Sequence, residues 1–470
     1  MHTVNVVVAV IGAGTAGLAA YRAAVAAGKR AVIIEGGPYG TTCARVGCMP
    51  SKLLIAAAEA AHGPARWNEF GLHLDGNIRI DGRAVMARVK RERDRFVGFV
   101  LDGVEAIPVA DRIRGFARFS DDRTLVVDDH TTVGFRRAVI ATGSSPAIPP
   151  FLKSLGDRLI VNDDVFSWDA LPQSVAIFGP GVIGLEIGQA LHRLGVDIVL
   201  FGRSGHVGPF SDPEVRAYAV QAFAQELPLD ADADVRNVER VGDAVELRYR
   251  GPDGTEVTKR VDYVIAATGR TPNVRHLGLE HTSVALDPYG VPVFNRLTMQ
   301  CGDTPIFIAG DANHDLPLLH EAADEGRIAG DNAARWPDVR AGLRRVPLGI
   351  VFSDPQLAVV GERFADLAPG TFVTGQVSFE NQGRSRVMLR NKGMLHVYAN
   401  VATGRIVGAE MIGPDAEHLA HLLAWAIQSG MTVEKSLEMP FYHPVIEEGL
   451  RTALRDALAK LRAAGVRAAA

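Results

Sequence analysis

Two stretches of one pattern decide the fold: residues 8–17 read VAVIGAGTAG, and residues 175–184 read VAIFGPGVIG. In each stretch an apolar run predicts a buried strand, and three glycines at fixed spacing predict a tight turn into a helix. The two copies align without a gap at a constant offset of 167 positions. We therefore predict two strand-turn-helix units of the same build.

The three glycines of each copy have different physical roles. The first permits the tight turn, the second lets the backbone approach a pyrophosphate, and the third lets the helix pack against the strand. The amides at the helix N-terminus attract the same anion. Each copy is therefore predicted to bind a dinucleotide. The glycines are Gly12, Gly14 and Gly17 in the first copy and Gly179, Gly181 and Gly184 in the second.

The residue at the end of the second strand distinguishes the copies. In the first copy it is Glu35, whose carboxylate can accept hydrogen bonds from a ribose diol, unless it is only a solvated acid. The equivalent position in the second copy is Gly202, followed by Arg203. An arginine there suits a 2′-phosphate, although it is equally typical of a solvated surface. NAD(H) and NADP(H) therefore both stay open for the second copy.

Two cysteines come soon after the first copy. Cys43 and Cys48 are separated by four residues, and the only other cysteine is Cys301. The next residues, Pro50-Ser51-Lys52, lead into an apolar helix, and helix N-termini lower the pKa of a thiol. We therefore predict a redox-active pair rather than two inert buried thiols.

Further apolar strands end in small-residue turns, again in both halves of the chain. Ligands of open α/β sheets lie beyond the carboxyl ends of the strands, so these turns are candidate cofactor contacts. An aspartate at such an end could hold ribityl hydroxyls, or it could be a helix N-cap. The residues are Ala141, Thr142 and Gly143 in the first half, Gly269 in the second, and Gly310 with Asp311 after a third strand.

The composition excludes several classes of protein. With 50 basic and 54 acidic residues, the chain has no electrostatic signature of nucleic-acid or anionic-membrane binding. Its three cysteines cannot form a secreted disulfide framework, so we expect a reducing, cytoplasmic location. The uncharged stretch from Val4 to Tyr21 has the length of a membrane span, but its glycine spacing favours a strand and a helix. We find no spacing typical of a metal site.

The length of 470 residues is too great for one core and predicts several domains. Residues 1–150 are predicted to form the first dinucleotide domain and residues 151–272 the second. Residues 273–345 return to complete the first site, and residues 346–470 make an interface domain. In the last segment the alternating pattern at residues 394–398 predicts a strand, and we expect a helix over residues 418–427.

Taken together, these motifs resemble the class I pyridine nucleotide-disulfide oxidoreductases, and among them the dihydrolipoamide dehydrogenases. The resemblance rests on the cysteine pair with Pro50-Ser51-Lys52, both glycine motifs, the small-residue turns and the stretch HPVIEE at residues 443–448. It implies an α/β fold with two Rossmann-like domains, FAD in the first and a nicotinamide in the second. It also implies an α+β C-terminal dimerisation domain, and hence a homodimer.

The resemblance further implies roles for matching residues. Cys43 would exchange with the substrate, and Cys48 would lie against the flavin. His443 would be the acid-base catalyst, oriented by Glu448 and reaching the cysteines of the other subunit. Electrons would pass from a dithiol through the cysteine pair and FAD to NAD(P)⁺. The remaining residues that the resemblance places at the cofactors are Thr42, Lys52 and Glu186.

Departures from the family pattern leave the substrate open. Val445 follows the His-Pro pair where lipoamide members usually have Thr, and Phe441-Tyr442 replaces a His-Ala pair. A glutathione-reductase-type enzyme is therefore the alternative, whereas the lack of a cysteine in the C-terminal tail disfavours mercuric and large thioredoxin reductases. A non-catalytic flavoprotein subunit is the alternative from another class. The resemblance also suggests a lipoyl domain of a 2-oxo acid dehydrogenase complex as a partner.

Overall fold

The computed structural model describes residues 2–465. Its strands, in chain order, are β1 (His2–Ile11), β2 (Ala31–Glu35), β3 (Arg112–Arg114), β4 (Ala117–Asp121), β5 (Thr124–Val127), β6 (Thr131–Ile140), β7 (Ser144–Pro146), β8 (Leu159–Val161), β9 (Ser174–Phe178), β10 (Asp197–Phe201), β11 (Leu229–Asp230), β12 (Asp234–Val241), β13 (Ala244–Arg250), β14 (Glu256–Val261), β15 (Tyr263–Ala266), β16 (Arg270–Pro272), β17 (Ile306–Ile308), β18 (Leu348–Val351), β19 (Gln356–Gly361), β20 (Phe372–Ser378), β21 (Met394–Asn400) and β22 (Ile406–Gly413).

The α-helices, in chain order, are α1 (Thr15–Ala26), α2 (Thr42–Val46), α3 (Cys48–His62), α4 (Gly82–Glu105), α5 (Asn162–Val165), α6 (Val182–Arg193), α7 (Pro213–Ala224), α8 (Leu319–Arg335), α9 (Gly383–Val387), α10 (Ala416–Gln428), α11 (Val433–Leu437) and α12 (Glu448–Ala463). The chain folds into two compact units. The first contains the chain up to Pro50, Lys90–Ala147 and Arg270–Arg345; the second contains Ser51–Val89, Ile148–Gly269 and the chain from Val346 onward.

The first unit is built on a seven-stranded sheet of order β3-β2-β1-β6-β5-β4, in which β17 also pairs with β6. Strands β3, β2, β1, β6 and β17 are parallel, so their carboxyl ends share one edge. Helix α1 packs closely against α8, because Gly326 and Gly330 lack side chains: a Cβ on either would meet a backbone oxygen of α1 at 2.1 and 2.3 Å. The first dinucleotide turn lies at the carboxyl edge of these parallel strands.

The second unit contains a five-stranded parallel sheet of order β11-β10-β9-β15-β8, which carries the second dinucleotide turn. A three-stranded antiparallel sheet, β12-β13-β14, comes next in the chain. The C-terminal segment forms a five-stranded antiparallel sheet of order β18-β19-β22-β21-β20. Helices α10 and α12 pack on this last sheet through a common apolar core.

The elements predicted from the two glycine motifs are confirmed. The uncharged stretch from Val4 to Tyr21 forms most of β1 and the first part of α1, and within residues 2–465 no helix is long and apolar enough to cross a membrane. The apolar helix after the cysteines begins earlier than predicted, at Cys48 itself. Cys48 therefore belongs to the first turn of α3.

The strand predicted at residues 394–398 is confirmed as β21, and it is buried along its length. Residues 395–399 are all buried. The physical reason is that both faces of this strand are covered, since α12 and α7 both contact β21. The predicted helix over residues 418–427 is confirmed as the interior of α10.

Candidate active site

The first glycine turn is closed by backbone packing. Gly12 has a φ of +105°, and a Cβ there would lie 2.3 Å from the Ala141 carbonyl oxygen at the end of β6. A Cβ on Gly17 would lie 1.9 Å from the Gly12 oxygen. Gly14 differs, since its Cβ would meet nothing within 4 Å and it begins α1 as an N-cap with no side-chain hydrogen bond. The turn therefore leaves helix amides open to an anion.

The carboxylate of Glu35 is fixed at the end of β2. One oxygen accepts a hydrogen bond from the Ala13 amide at 2.8 Å, and the other accepts from the Gly37 amide at 2.7 Å. Beyond β6 of the same sheet, the Thr142 hydroxyl is buried and has no hydrogen-bond partner among residues 2–465. A buried polar atom without a hydrogen-bond partner in the protein indicates a position where a ligand binds. The donors and the cradle of this turn fit a dinucleotide.

Asp311 lies beyond β17 and is held by two side chains. Its carboxylate accepts a hydrogen bond from the Ser144 hydroxyl at 2.6 Å, and Arg270 donates to that hydroxyl at 2.8 Å. The N-cap of the short helix here is Ala309, so the interpretation of Asp311 as an N-cap is wrong. Instead, the Gly310 amide donates to the buried carboxylate of Glu325 at 2.8 Å. The Asp311 side chain is therefore positioned by its neighbours rather than used to cap a helix.

The second glycine turn repeats the first almost without change. Gly179 has a φ of +103°, and its Cβ would lie 2.4 Å from the Ala267 oxygen. A Cβ on Gly184 would lie 1.9 Å from the Gly179 oxygen, and one on Gly181 would meet nothing within 4 Å. Gly181 is the N-cap of α6, again without a side-chain cap. This turn fits a second dinucleotide for the same physical reasons.

The end of β10 differs from the end of β2. A Cβ on Gly202 would lie 2.6 Å from the Ala231 oxygen, so this position has no room for a side chain. The next residue, Arg203, is exposed. Gly269, after β15, has a φ of +105° and open space at its Cβ position. The backbone at this edge is therefore accessible, but Gly202 itself brings no acid to it.

The two cysteines lie in consecutive helices that are joined by a single residue. Cys43 is partly buried in α2, a helix whose N-cap, Thr41, accepts a hydrogen bond from the Ala44 amide. Cys48 is exposed and is the first residue of α3. A Cβ on the linking Gly47 would lie 3.2 Å from the Cys43 Cα, so the chain turns tightly here. The positive end of the α3 dipole favours negative charge at Cys48.

One turn after Cys48 in α3, Lys52 forms an ion pair with Glu186 of α6. The ammonium lies 2.7 Å from both carboxylate oxygens, and the Phe352 amide donates to one of them at 2.9 Å. Glu186 is 5% exposed, and the Lys52 ammonium also lies 4.5 Å from the centroid of the Phe352 ring. The buried carboxylate therefore has several donors and holds the lysine in one orientation.

His443 and Glu448 are in contact, as the family resemblance implies. The His443 Nδ1 donates to Glu448 at 3.0 Å, and Arg451 donates to the other carboxylate oxygen at 2.6 Å. Desolvation pushes the pKa of Glu448 upward, but the Val445 amide, His443 and Arg451 outweigh it and leave the pKa below its usual value. The imidazole is 80% exposed. Its Nε2 is therefore available to a molecule outside the chain.

A buried cluster in the second unit escaped the sequence interpretation. Asp212 accepts hydrogen bonds from His396 Nδ1 at 2.7 Å and from the Tyr398 hydroxyl at 2.9 Å, and it caps α7. The neighbouring Glu410 is fully buried and accepts from the Ser211 and Asp212 amides. The Asp-Pro pair that starts α7 could have predicted the cap, but nothing local predicts a partner 184 residues away.

Two family models match the chain. Residues 6–326 match the model described as pyridine nucleotide-disulphide oxidoreductase, and residues 348–454 match the dimerisation domain of the same family. Together the two matches span both glycine turns, the cysteine pair and His443.

The curated relatives carry two different names at nearly equal identity. The chain is 31% identical to a mercuric reductase of Shigella flexneri, over 95% of this chain and 80% of that protein. It is 30% identical to a dihydrolipoyl dehydrogenase of Bacillus subtilis, over 95% of this chain and 97% of that protein. These similarities identify the kind of enzyme without selecting the substrate.

Solved structures share the fold. LpdA from Mycobacterium tuberculosis superposes with a TM-score of 0.81 at 25% identity, over 96% of this chain and 99% of that one. The flavoprotein disulfide reductase RclA from Escherichia coli superposes with a TM-score of 0.80 over 97% of this chain and 99% of that one. At 20% identity, this second likeness shows the fold alone.

Proposed function

Since the chain belongs to the pyridine nucleotide-disulphide oxidoreductase family of FAD-dependent enzymes that use NAD(P)H, we propose that it is a disulfide oxidoreductase of dihydrolipoyl dehydrogenase type. In this reaction a dithiol becomes a disulfide, and NAD(P)⁺ becomes NAD(P)H with release of one proton. Cys43 and Cys48 are the chain's own redox groups.

The observation that carries this proposal is the placement of the two thiols. One is partly buried in a short helix, the other is exposed at the start of a long helix, and a single glycine links the helices. A thiolate is the reactive form in disulfide exchange, and a helix N-terminus stabilises it. A pair of inert structural cysteines does not need either feature.

Disulfide exchange at the pair transfers two electrons in two steps. A thiolate of the substrate attacks the sulfur of Cys43 in the oxidised pair, and Cys48 leaves as a thiolate. The second substrate thiol then attacks the mixed disulfide, which releases the cyclic disulfide and leaves Cys43 and Cys48 reduced by two electrons. Two protons leave the substrate in these steps.

His443 is the proposed acceptor of a substrate proton. Its Nδ1 is committed to Glu448, so the neutral ring presents the lone pair of Nε2. The carboxylate keeps the imidazole oriented and stabilises it once it is protonated, as a buried acid does in other histidine-based sites. Because the ring is exposed in a single chain, we propose that it serves the cysteines of a partner subunit.

The two glycine turns would hold the cofactors. We assign FAD to the first turn, together with Glu35, Thr142 and Asp311, and the nicotinamide to the second. Bound FAD supplies the transfer of an electron pair between the reduced cysteines and the nicotinamide. Thr42, Gly143, Gly269, Gly310, Lys52 and Glu186 remain proposed cofactor-site residues on the family resemblance.

A dithiol is favoured over mercuric ion by the cysteine positions. Soft metal ions are bound by thiolates, and we expect a mercuric site to need cysteines in addition to the redox pair. The chain has no cysteine after Cys301. Burial raises the pKa of the Cys301 thiol, which keeps it protonated. The thiols available for chemistry are therefore only the proposed pair.

The partner we propose is a second copy of the chain. The matched dimerisation domain spans residues 348–454, and its helix α10 exposes Leu422 and Trp425 on the face away from its own core. Exposed large apolar side chains on one helical face are typical of an interface. The proposed setting is a reducing cytoplasm, and a lipoyl domain is the proposed carrier of the dithiol.

The test is a steady-state assay of the purified FAD-loaded protein with dihydrolipoamide and with glutathione disulfide, each against both nicotinamides, and with mercuric chloride in a further arm. We expect turnover of dihydrolipoamide, and we expect Cys43→Ser and Cys48→Ser to abolish it while FAD stays bound. Selective turnover of glutathione disulfide would move the chain to the glutathione-reductase type, and reduction of mercuric ion to the mercuric type.

The matched control is Cys301→Ala, which removes a thiol from the apolar core without touching the pair. It should keep dihydrolipoamide turnover within about a factor of two of the wild type, because a volume change of this kind acts on stability rather than on chemistry. Turnover by Cys43→Ser at the wild-type rate would eliminate the relay.

A further inference from the structure

The two dinucleotide folds bind a carboxylate at the same backbone amide. In the first fold, Glu35 accepts a hydrogen bond from the Gly37 amide at 2.7 Å. The constant offset between the copies makes Ser204 the counterpart of Gly37. The Ser204 amide also donates to a carboxylate at 2.7 Å, but this one belongs to Asp232. The acid is therefore present in the second fold, although it comes from a different strand.

Backbone packing explains why the second fold has no acid at the position that corresponds to Glu35. Position 202, the counterpart of Glu35, has no room for a side chain because a Cβ would lie 2.6 Å from the Ala231 oxygen. The Ala13 amide, which binds the other oxygen of Glu35, corresponds to Pro180, and proline has no N–H. The second fold thus lacks both the original carboxylate and one of its two donors.

The strand register shows an exchange of charge between neighbours. Glu35 at the end of β2 is in register with Arg114 at the end of β3, and in the second fold the last residues in register across β10 and β11 are Phe201 and Asp230. The basic residue now comes after the second strand as Arg203, and the acid comes after the third strand as Asp232. Acid and base have therefore changed places between the two strand ends.

The nearby acids are occupied elsewhere, which singles out Asp232. The Asp230 side chain accepts a hydrogen bond from the Asp232 amide at 3.1 Å, and Asp234 pairs with Arg236 at 2.5 Å. The Asp232 side chain is exposed at the carboxyl edge of the parallel sheet. Ligands of such sheets lie beyond that edge, where the adenosine ribose of a dinucleotide is bound.

We propose that Asp232 is the ribose-binding acid of the second fold and makes the site selective for NAD(H). A carboxylate accepts hydrogen bonds from the 2′- and 3′-hydroxyls of NAD(H). The 2′-phosphate of NADP(H) carries a charge of about −1.5 to −2 and is repelled by the same group. The exposed Arg203 is then a surface residue. This inference rests on the proposed function only in taking the second fold as the nicotinamide site.

The experiment measures dissociation constants of NADH and NADPH for the FAD-loaded protein by calorimetry, for wild type, Asp232→Asn and Arg203→Ala. Binding is independent of the dithiol, so selective NADH binding without dihydrolipoamide turnover would count against the proposed function and not against this inference. Asparagine keeps an oxygen for the Ser204 amide and removes only the charge. Asp234→Asn is the matched control for an acid of the same strand region.

We expect the wild type to bind NADH at least tenfold more tightly than NADPH. Asp232→Asn should weaken NADH or strengthen NADPH so that this ratio falls about tenfold, while Asp234→Asn leaves it unchanged. A wild type that prefers NADPH, together with a selective loss of NADPH in Arg203→Ala, would overturn the proposal. Equal changes for both nucleotides in Asp232→Asn would overturn it as well.

Discussion

The two dinucleotide folds of this chain agree where backbone meets backbone and differ where a side chain meets a ligand. In both copies a Cβ on the third glycine would lie 1.9 Å from the carbonyl oxygen of the first glycine. A Cβ on the first glycine would lie 2.3 Å from the Ala141 oxygen in the first copy and 2.4 Å from the Ala267 oxygen in the second. The acid at the edge of the sheet, in contrast, comes from different strands. Close packing fixes the turn, whereas several strand ends can supply the carboxylate.

The copies also differ in the chain segment after the second strand. After β2 the chain carries the cysteine pair, and after β10 it carries Asp212, whose side chain caps α7 and binds residues of β21. In the second unit the dinucleotide sheet is thus tied to the C-terminal sheet by buried polar groups. The same build is therefore followed by the proposed redox pair in one copy and by an attachment to the C-terminal sheet in the other.

The largest effect is expected from the third glycine of each copy. Gly17→Ala or Gly184→Ala places a methyl group on a backbone oxygen, and overpacking of this kind costs about 3 kcal/mol or more when backbone must move. Gly17→Ala should lose bound FAD, and Gly184→Ala should keep it. Flavin absorbance per chain and urea unfolding measure both. Equal flavin loss in the two variants would contradict the separate assignment of the folds.

Removal of the Asp212 hydrogen bonds that join α7 to β21 should have the next largest effect. Asp212→Asn removes a buried carboxylate that accepts hydrogen bonds from His396 and Tyr398, and losing hydrogen bonds to a charged group costs about 3 kcal/mol of unfolding free energy. Urea unfolding at neutral pH measures this cost, and Asp234→Asn at the surface is its control. A loss below about 0.5 kcal/mol, the usual size for surface substitutions, would show that the cluster is not stabilising.

The same cluster predicts a pH dependence. Burial pushes the pKa of Asp212 upward, but hydrogen bonds from His396, Tyr398 and the Val215 amide outweigh it and lower the pKa below its usual 3.8. The stabilisation is therefore complete above pH 3.8 and is lost as the pH falls toward the lower folded value. The stability difference between wild type and Asp212→Asn should shrink on acidification from pH 6 to pH 3. A stability difference that grows on acidification would contradict the lowered pKa of Asp212.

The second glycine of each copy offers a cleaner separation of binding from folding. Gly14→Ala and Gly181→Ala add a methyl group to open space, so neither should change unfolding by more than about 0.5 kcal/mol. Each should weaken only its own cofactor, about tenfold or roughly 1.4 kcal/mol. Titration with FAD after its removal, and with the nicotinamide, gives the two affinities. Weaker binding of both cofactors by a single variant would show that the two folds do not bind their cofactors separately.

A smaller effect is expected at the acid of the first fold. Glu35→Gln keeps one accepting oxygen but presents an NH₂ group to the second amide donor, so one hydrogen bond worth about 1 kcal/mol is lost. FAD affinity should fall several-fold without loss of folding, as measured by flavin retention on dilution. An unchanged affinity would show that this carboxylate serves the backbone and not the cofactor.

The sequence predicted the features that depend on local pattern. The glycine spacing located both turns, because strands, helices and short links obey local rules, and the family resemblance implied the contact between His443 and Glu448. The start of α3 at Cys48 was missed because Pro50 suggested a later beginning, although proline is tolerated in the first turn of a helix.

Features that depend on distant contacts could not be predicted. The full burial of β21 results from helices on both of its faces, and the pairing of His396 with Asp212 joins residues that no short pattern relates. The absence of an acid at Gly202 was visible in the sequence, but the hydrogen bond from the Ser204 amide to Asp232, on which the proposed replacement rests, is evident only from the fold.

In the proposed mechanism, the first fold and its cysteine pair accept electrons independently of the second fold. Rapid mixing of Gly181→Ala with dihydrolipoamide under anaerobic conditions tests it directly, with flavin absorbance as the signal. We predict bleaching at the wild-type rate, and then slow recovery when NAD⁺ is added. Bleaching that is as impaired as the recovery, in a protein that retains its flavin, would contradict the account.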